Sequence, residues 1–199
     1  VIVGNSTPAW NRLALGSADN ALVSNGTDIV YRKMIGDITL YVNFAGGVWT
    51  ENGDANPTTS STGTVKEDRD TTARRNYLHF EDSSGTLKTF THIIEWIIPW
   101  GWRGYATTNC ITVNFRTETN LTADNKLDVT IRKTGGTLVA QKTAQVSSTG
   151  NVWTTVTFNF ADLTAPPAAG AIMVIELLCY SKSGNHVNLG EITFAIGAN

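Results

Sequence analysis

From residue 109 onward, hydrophobic and polar residues alternate with a period of two. Ile111, Val113 and Phe115 fall on one face, and Thr112, Asn114 and Arg116 on the other. Leu127, Val129 and Ile131 repeat the pattern against Asp128, Thr130 and Arg132. Successive side chains of a strand point to opposite sides, so this pattern predicts half-buried β-strands. Gly135-Gly136 then turns the chain, and residues 138–145 return as a hairpin partner. Residues 153–160 alternate again, with Val156, Phe158 and Phe160 on one side. Residues 171–180 are almost continuously apolar, as a central strand covered on both faces should be. Residues 187–196 close the series with Leu189, Ile192, Phe194 and Ile196, and Gly190 among them marks a bulge.

Upstream, residues 37–44 predict a strand stopped by Gly46-Gly47. Residues 76–81 set Tyr77, His79 and Glu81 against Leu78 and Phe80, and residues 87–99 form a β-rich run that ends at Pro99. No window of about 12 residues sustains a helical period with caps. The expected fold is all-β: a jelly-roll-like β-sandwich over residues 36–199, built from about eight strands. Two segments stand apart. Residues 1–35 lack a strong alternation and read as an extended N-terminal arm or shaft fragment. Residues 50–75, rich in Asn, Thr, Ser, Gly and charge, read as a long surface loop.

Composition narrows the classes. Charged residues make up 16% of the chain, below the usual ~25%. The net charge of −2 supplies no basic field for nucleic acid. No apolar run approaches the ~20 residues of a spanning helix, so membrane insertion is not expected. Cys110 and Cys179 sit in apolar, strand-like runs and read as two buried free thiols, with a disulfide as the alternative. The first residue is Val, which reads as a processed or excised piece of a chain.

Candidate chemistry is sparse. Trp96, Trp100, Trp102 and Tyr105 crowd one stretch together with Arg103. Two readings stay open for it. In one, Trp100, Trp102 and Tyr105 stack on sugar rings while Arg103 bonds hydroxyls. In the other, Trp96 lies in the core while Trp100 and Trp102 cap the end of the sandwich or a subunit contact. His79, His92 and His186 lack metal-ligand spacing, although His79 and Glu81 share a strand face. Glu51, Asp54, Glu67, Asp68 and Asp70 match no calcium loop and have Arg69, Arg74 and Arg75 as close partners. There is no nucleophile elbow, phosphate loop or dinucleotide fingerprint, and no carboxylate pair of glycosidase type can be named. No catalytic residue, metal or cofactor is expected, and the chain does not read as an enzyme.

One segment carries a family resemblance. Pro8-Ala9-Trp10-Asn11-Arg12-Leu13-Ala14-Leu15-Gly16 is followed by Leu22-Val23-Ser24-Asn25-Gly26-Thr27 and then Tyr31. This resembles a short repeat of tailed-bacteriophage fibre and other virion appendage proteins. Its units have the form Pro-x-Trp-x-Arg-Leu-x-x-Gly, then Leu-x-Ser-x-Gly-Thr and an aromatic residue. The pattern lapses after Tyr31, so at most one unit is present. The resemblance implies a structural virion protein, assembled in the host cytoplasm. It would be a homotrimeric capsid decoration (cement) protein or a fibre or spike component, acting by assembly contacts. Pro8, Trp10, Arg12, Leu13, Leu15, Leu22 and Tyr31 would then lie along other virion proteins, either the capsid shell or the fibre shaft. The alternative is a carbohydrate-binding, receptor-recognition head that meets a host surface glycan through Trp100, Trp102 and Tyr105.

Overall fold

The computed structural model describes residues 2–4, 10–12, 20–24, 29–33, 37–41, 63–102 and 104–197, the first four segments as backbone only. Fourteen strands occur among them. Four are short and N-terminal: β1 (Ile2–Gly4), β2 (Trp10–Arg12), β3 (Asn20–Ser24) and β4 (Ile29–Lys33). The rest are β5 (Ile38–Leu40), β6 (Gly63–Asp70), β7 (Arg75–Asp82), β8 (Lys88–Ile97), β9 (Ile111–Thr117), β10 (Asn125–Lys133), β11 (Leu138–Gln145), β12 (Thr154–Phe158), β13 (Ile172–Ser181) and β14 (His186–Phe194).

Strands β5–β14 form two antiparallel sheets of a β-sandwich. One has the order β11-β10-β13-β8. The other runs β12-β9-β14-β7-β6, and β5 pairs with β14 beyond the end of β7. One edge of β14 therefore serves two partners. Its residues 186–189 pair with β7 and its residues 192–194 with β5. The expected all-β sandwich is the observed architecture.

The alternation read from the sequence places the core. Ile111, Val113 and Phe115 of β9 face Leu127, Val129 and Ile131 of β10 across one apolar cluster. Phe80, Phe90, Phe115, Phe158 and Phe194 are all buried in it. Each such side chain contributes about 1.5–3 kcal/mol on leaving water. Cys110 and Cys179 are buried free thiols in the same cluster, as expected. The predicted bulge is present as well: the β14–β9 register shifts between Leu189 and Ile192, around Gly190.

Part of the expected loop at 50–75 is a strand. Residues 63–70 pair with β7 along their whole length as the outer strand of the sheet. Their sequence, Gly-Thr-Val-Lys-Glu-Asp-Arg-Asp, reads as a loop because only Val65 packs on the core. A charged edge strand also resists stray pairing with other chains. The predicted hairpin at Gly135-Gly136 is observed, with Gly136 N donating to Lys133 O.

Of the expected arm, β1 pairs with β2 and β3 with β4, each as a separate two-stranded sheet. Trp10 and Arg12 lie in β2, Leu22 in β3 and Tyr31 in β4. Pro8, Leu13 and Leu15 lie outside the described residues.

Candidate functional site

The outer face of the six-stranded sheet carries a dense set of aromatic and charged side chains. They occupy the strand positions that alternate with core residues: Tyr77 and His79 of β7 flank Leu78, and Asn114 and Arg116 of β9 flank Phe115. Trp153, just before β12, lies across this face. Its ring packs over Gly190, where an added Cβ would sit 3.2 Å from Trp153 Cζ3 and 3.2 Å from Asn114 Cβ. The bulge glycine thus leaves room for a flat indole on the sheet.

Around that indole the cations are ordered. Arg75 lies 4.6 Å from the Trp153 ring centre and Arg116 lies 5.1 Å from it. Tyr77 packs edge-on against the same ring, with centroids 5.6 Å apart. Asp70 collects the donors: Arg116 Nη1 at 3.2 Å, Trp153 Nε1 at 3.0 Å, and the backbone N–H groups of Ala73 and Thr72 at 2.8 and 3.0 Å. The Ala73 N–H, followed by the Trp153 indole, holds the Asp70 carboxyl below its ordinary value. Asp70 thereby fixes the turn at residues 71–74, which links β6 to β7.

That turn walls a cavity of about 360 Å3 lined by Thr39, Tyr41, Ala73, Arg74, Arg75, Asn76, Glu191 and Thr193. Thr39 comes from β5, Glu191 and Thr193 from β14, and Arg75 and Asn76 from β7. Their meeting follows from the two partners that share one edge of β14. Tyr41 is 74% exposed at its rim. Arg75 Nη2 lies 3.0 Å from Glu191 Oε1, and Asn114 Nδ2 donates to the same oxygen at 3.0 Å. The cavity thus offers donor-only groups, an acceptor carboxylate, two hydroxyls and one open aromatic ring. Most of its lining is carried on strands, which hold such groups in fixed positions.

A second polar cluster lies further along the same face. The rings of His79 and His186 pack at 5.1 Å. His79 Nε2 lies 3.2 Å from Glu81 Oε2, so the shared strand face noted in the sequence does bring this pair together. His186 Nδ1 meets Glu118 Oε2. The hydrogen-bond network orients the Asn188 amide with its nitrogen toward His79 Nδ1, at 2.9 Å, and its oxygen toward Arg116 Nη2, also at 2.9 Å. Burial lowers the His186 pKa, opposed by Glu118. No group of three or more His, Cys, Asp or Glu placed to hold a metal occurs among the described residues.

The aromatic stretch at 96–105 divides. Trp102 is buried and packs edge-on against Trp96 and Tyr105, with centroids 5.6 and 5.1 Å away. A sugar platform needs an open ring face, and Trp102 does not offer one. Tyr105 is half-buried, donates its hydroxyl to Pro167 O at 3.0 Å and stacks on Phe160. Trp100 is 84% exposed. Its six-membered ring fills the space beside Gly170 that a side chain would take, 2.5 Å from a Cβ built there. Arg103 lies outside the described residues. His92, near Glu95 in sequence, faces the core instead, while Glu95 is exposed.

No family model matches the sequence, and no curated protein does. Solved structures of similar fold include the family 11 carbohydrate-binding module of a cellulosomal cellulase from Clostridium thermocellum, at 12% identity. That match covers 94% of this chain and 97% of the module, with a TM-score of 0.39. A second is the enzymatically active domain of tailspike protein 4 from bacteriophage CBA120, at 15% identity over 75% of this chain and 21% of that one, with a TM-score of 0.41. A third is an arabinose-bound GH51 α-L-arabinofuranosidase, at 20% identity over 74% of this chain and 24% of that one, with a TM-score of 0.40. The chain therefore spans a quarter or less of the last two. At this level the likeness carries nothing about ligand or assembly.

Proposed function

We propose that the sandwich is a carbohydrate-binding module that receives a sugar unit in the cavity between β5, β14 and the turn at 71–74. One observation carries this reading: the exposed ring of Tyr41 stands at the rim of a polar cavity that contains the Arg75–Glu191 pair. A sugar ring has apolar C–H faces and hydroxyls that both donate and accept. An open tyrosine suits the faces. Adjacent donors (Arg75, Asn76) and an acceptor (Glu191), with the Thr39 and Thr193 hydroxyls, suit the rim of hydroxyls. The volume falls in the range of small-ligand sites, about 300–1,000 Å3, and the lining is too polar for an apolar ligand. Exposed Trp100 is a second contact on the same chain, for a glycan or for a neighbouring subunit. The full chain on a glycan array tests the reading. Binding to a defined set of glycans, lost in Tyr41→Ala, is expected; an empty array, or binding unaffected by that change, overturns it.

A second reading concerns how this head is mounted. Among the described residues β1 pairs with β2 and β3 with β4, apart from the two sheets of the sandwich, and the Pro8–Tyr31 sequence resembles fibre repeats. These two observations support an arm that fixes the sandwich to a tailed-phage virion as a homotrimeric capsid decoration protein or fibre component. Native mass measurement checks it: a stable trimer is expected, and a monodisperse monomer at micromolar concentration counts against it.

A further inference from the structure

The lining of the cavity is not neutral. Glu191 is matched by Arg75 at 3.0 Å and by the Asn114 amide at 3.0 Å. That leaves Arg74, which makes no ion pair among the described residues, as the unmatched charge on the wall. Its backbone is also unusual. Arg74 has φ 52, in the left-handed region that Gly or Asn ordinarily occupies. The turn that imposes this conformation is pinned by Asp70 through the N–H groups of Thr72 and Ala73. A bulky side chain kept in a disfavoured conformation at a cavity wall is a pointer to function.

From this geometry we infer that the cavity takes an acidic sugar, one that bears a carboxylate or a sulfate ester, with the anionic group held by Arg74. The inference rests on the carbohydrate-binding reading and names its ligand class. A guanidinium presents two parallel N–H donors to a planar carboxylate or to two sulfate oxygens, and such charge-assisted bonds are about twice as strong as neutral ones. A neutral sugar leaves that donor pair facing water. Glu191, already matched, orients hydroxyls through its remaining lone pairs and does not repel the incoming anion as a bare carboxylate would.

The test uses the full chain against immobilised glycans in matched sets: the same backbone in neutral, uronate and sulfated forms. The expected result is binding about tenfold or more tighter to one or both acidic forms than to the neutral form. Arg74→Gln is expected to abolish that difference, and added salt to narrow it. The two acidic arms show whether carboxylate or sulfate is the partner. Equal binding of neutral and acidic forms, or a preference that survives Arg74→Gln, overturns the inference while leaving the carbohydrate reading intact. No binding to any form overturns both. Arg74→Gly, which relieves the left-handed backbone, is the control for folding: it is expected to lose the acidic preference without losing thermal stability.

Discussion

Trp153 Nε1 donates to Asp70 Oδ2 at 3.0 Å, reaching from one edge of the six-stranded sheet to the other. The bond spans β9, β14 and β7 and ties the indole to the turn that walls the cavity. Asp70→Asn and Trp153→Phe each break it. Both variants are expected to melt at lower temperature, and the double variant to lose less than the sum of the two, because they remove one shared interaction. A thermal-unfolding double-mutant cycle reads this, and additive losses contradict it.

Gly190 is the seat of the same indole. An alanine there brings a Cβ within 3.2 Å of both Trp153 Cζ3 and Asn114 Cβ. Overpacking of this kind costs about 1–3 kcal/mol. Gly190→Ala should therefore lower the unfolding midpoint by several degrees and shift the tryptophan emission as Trp153 lifts from the sheet. An unchanged midpoint and spectrum would show that the sheet has slack at this bulge.

These relationships show where the sequence was readable. The inward-facing residues of β9, β10, β12 and β14 were legible because each strand has one wet face, so burial is written as alternation. Strand β13, expected from its apolar run to be covered on both faces, instead alternates buried and half-buried residues, because a two-layer sandwich covers only one face of each sheet. Gly190 stood out as a glycine inside an apolar strand. Strand β6 was not legible, because an edge strand with one core contact at Val65 has the composition of a loop. The cavity was hidden for another reason. Thr39, Arg75 and Glu191 are far apart in the chain and meet only because β5 and β7 share an edge of β14. The stretch from Trp96 to Tyr105 drew attention because its rings are close in sequence, yet Trp102 turns into the core and Trp100 out to solvent.

The core holds a pH-sensitive element at His92. This side chain on β8 is 2% exposed beside Phe90, and burial lowers its pKa from 6.5 to about 4. Below pH 6.5 the unfolded chain takes up a proton that the folded chain refuses until about pH 4. Stability is therefore full above 6.5 and falls as pH drops toward 4, by about 3 kcal/mol from this group. His186, also lowered by burial, acts in the same direction. Urea unfolding at pH 7.5 and 4.5 measures the loss. His92→Leu should shrink the difference between the two pH values, and an unaltered difference would place the effect elsewhere.

The two thiols should be silent in the folded protein. Burial pushes the Cys110 thiol up to about 11 and raises that of Cys179 as well. A thiol-reactive dye at pH 8 should label neither residue until denaturant is added, since the thiolate is the reactive form. Prompt labelling of either in the native chain contradicts the buried placement.

The proposed sugar site lies between β5, β14 and the turn at 71–74. Its most direct test is a backbone amide NMR titration of the full chain with a glycan that binds on the array. Shifts are expected to concentrate at Thr39, Tyr41, Ala73, Arg74, Arg75, Asn76, Glu191 and Thr193, spreading to Trp153 through Arg75. Shifts confined to the loop around Trp100, or to the opposite four-stranded sheet, contradict it.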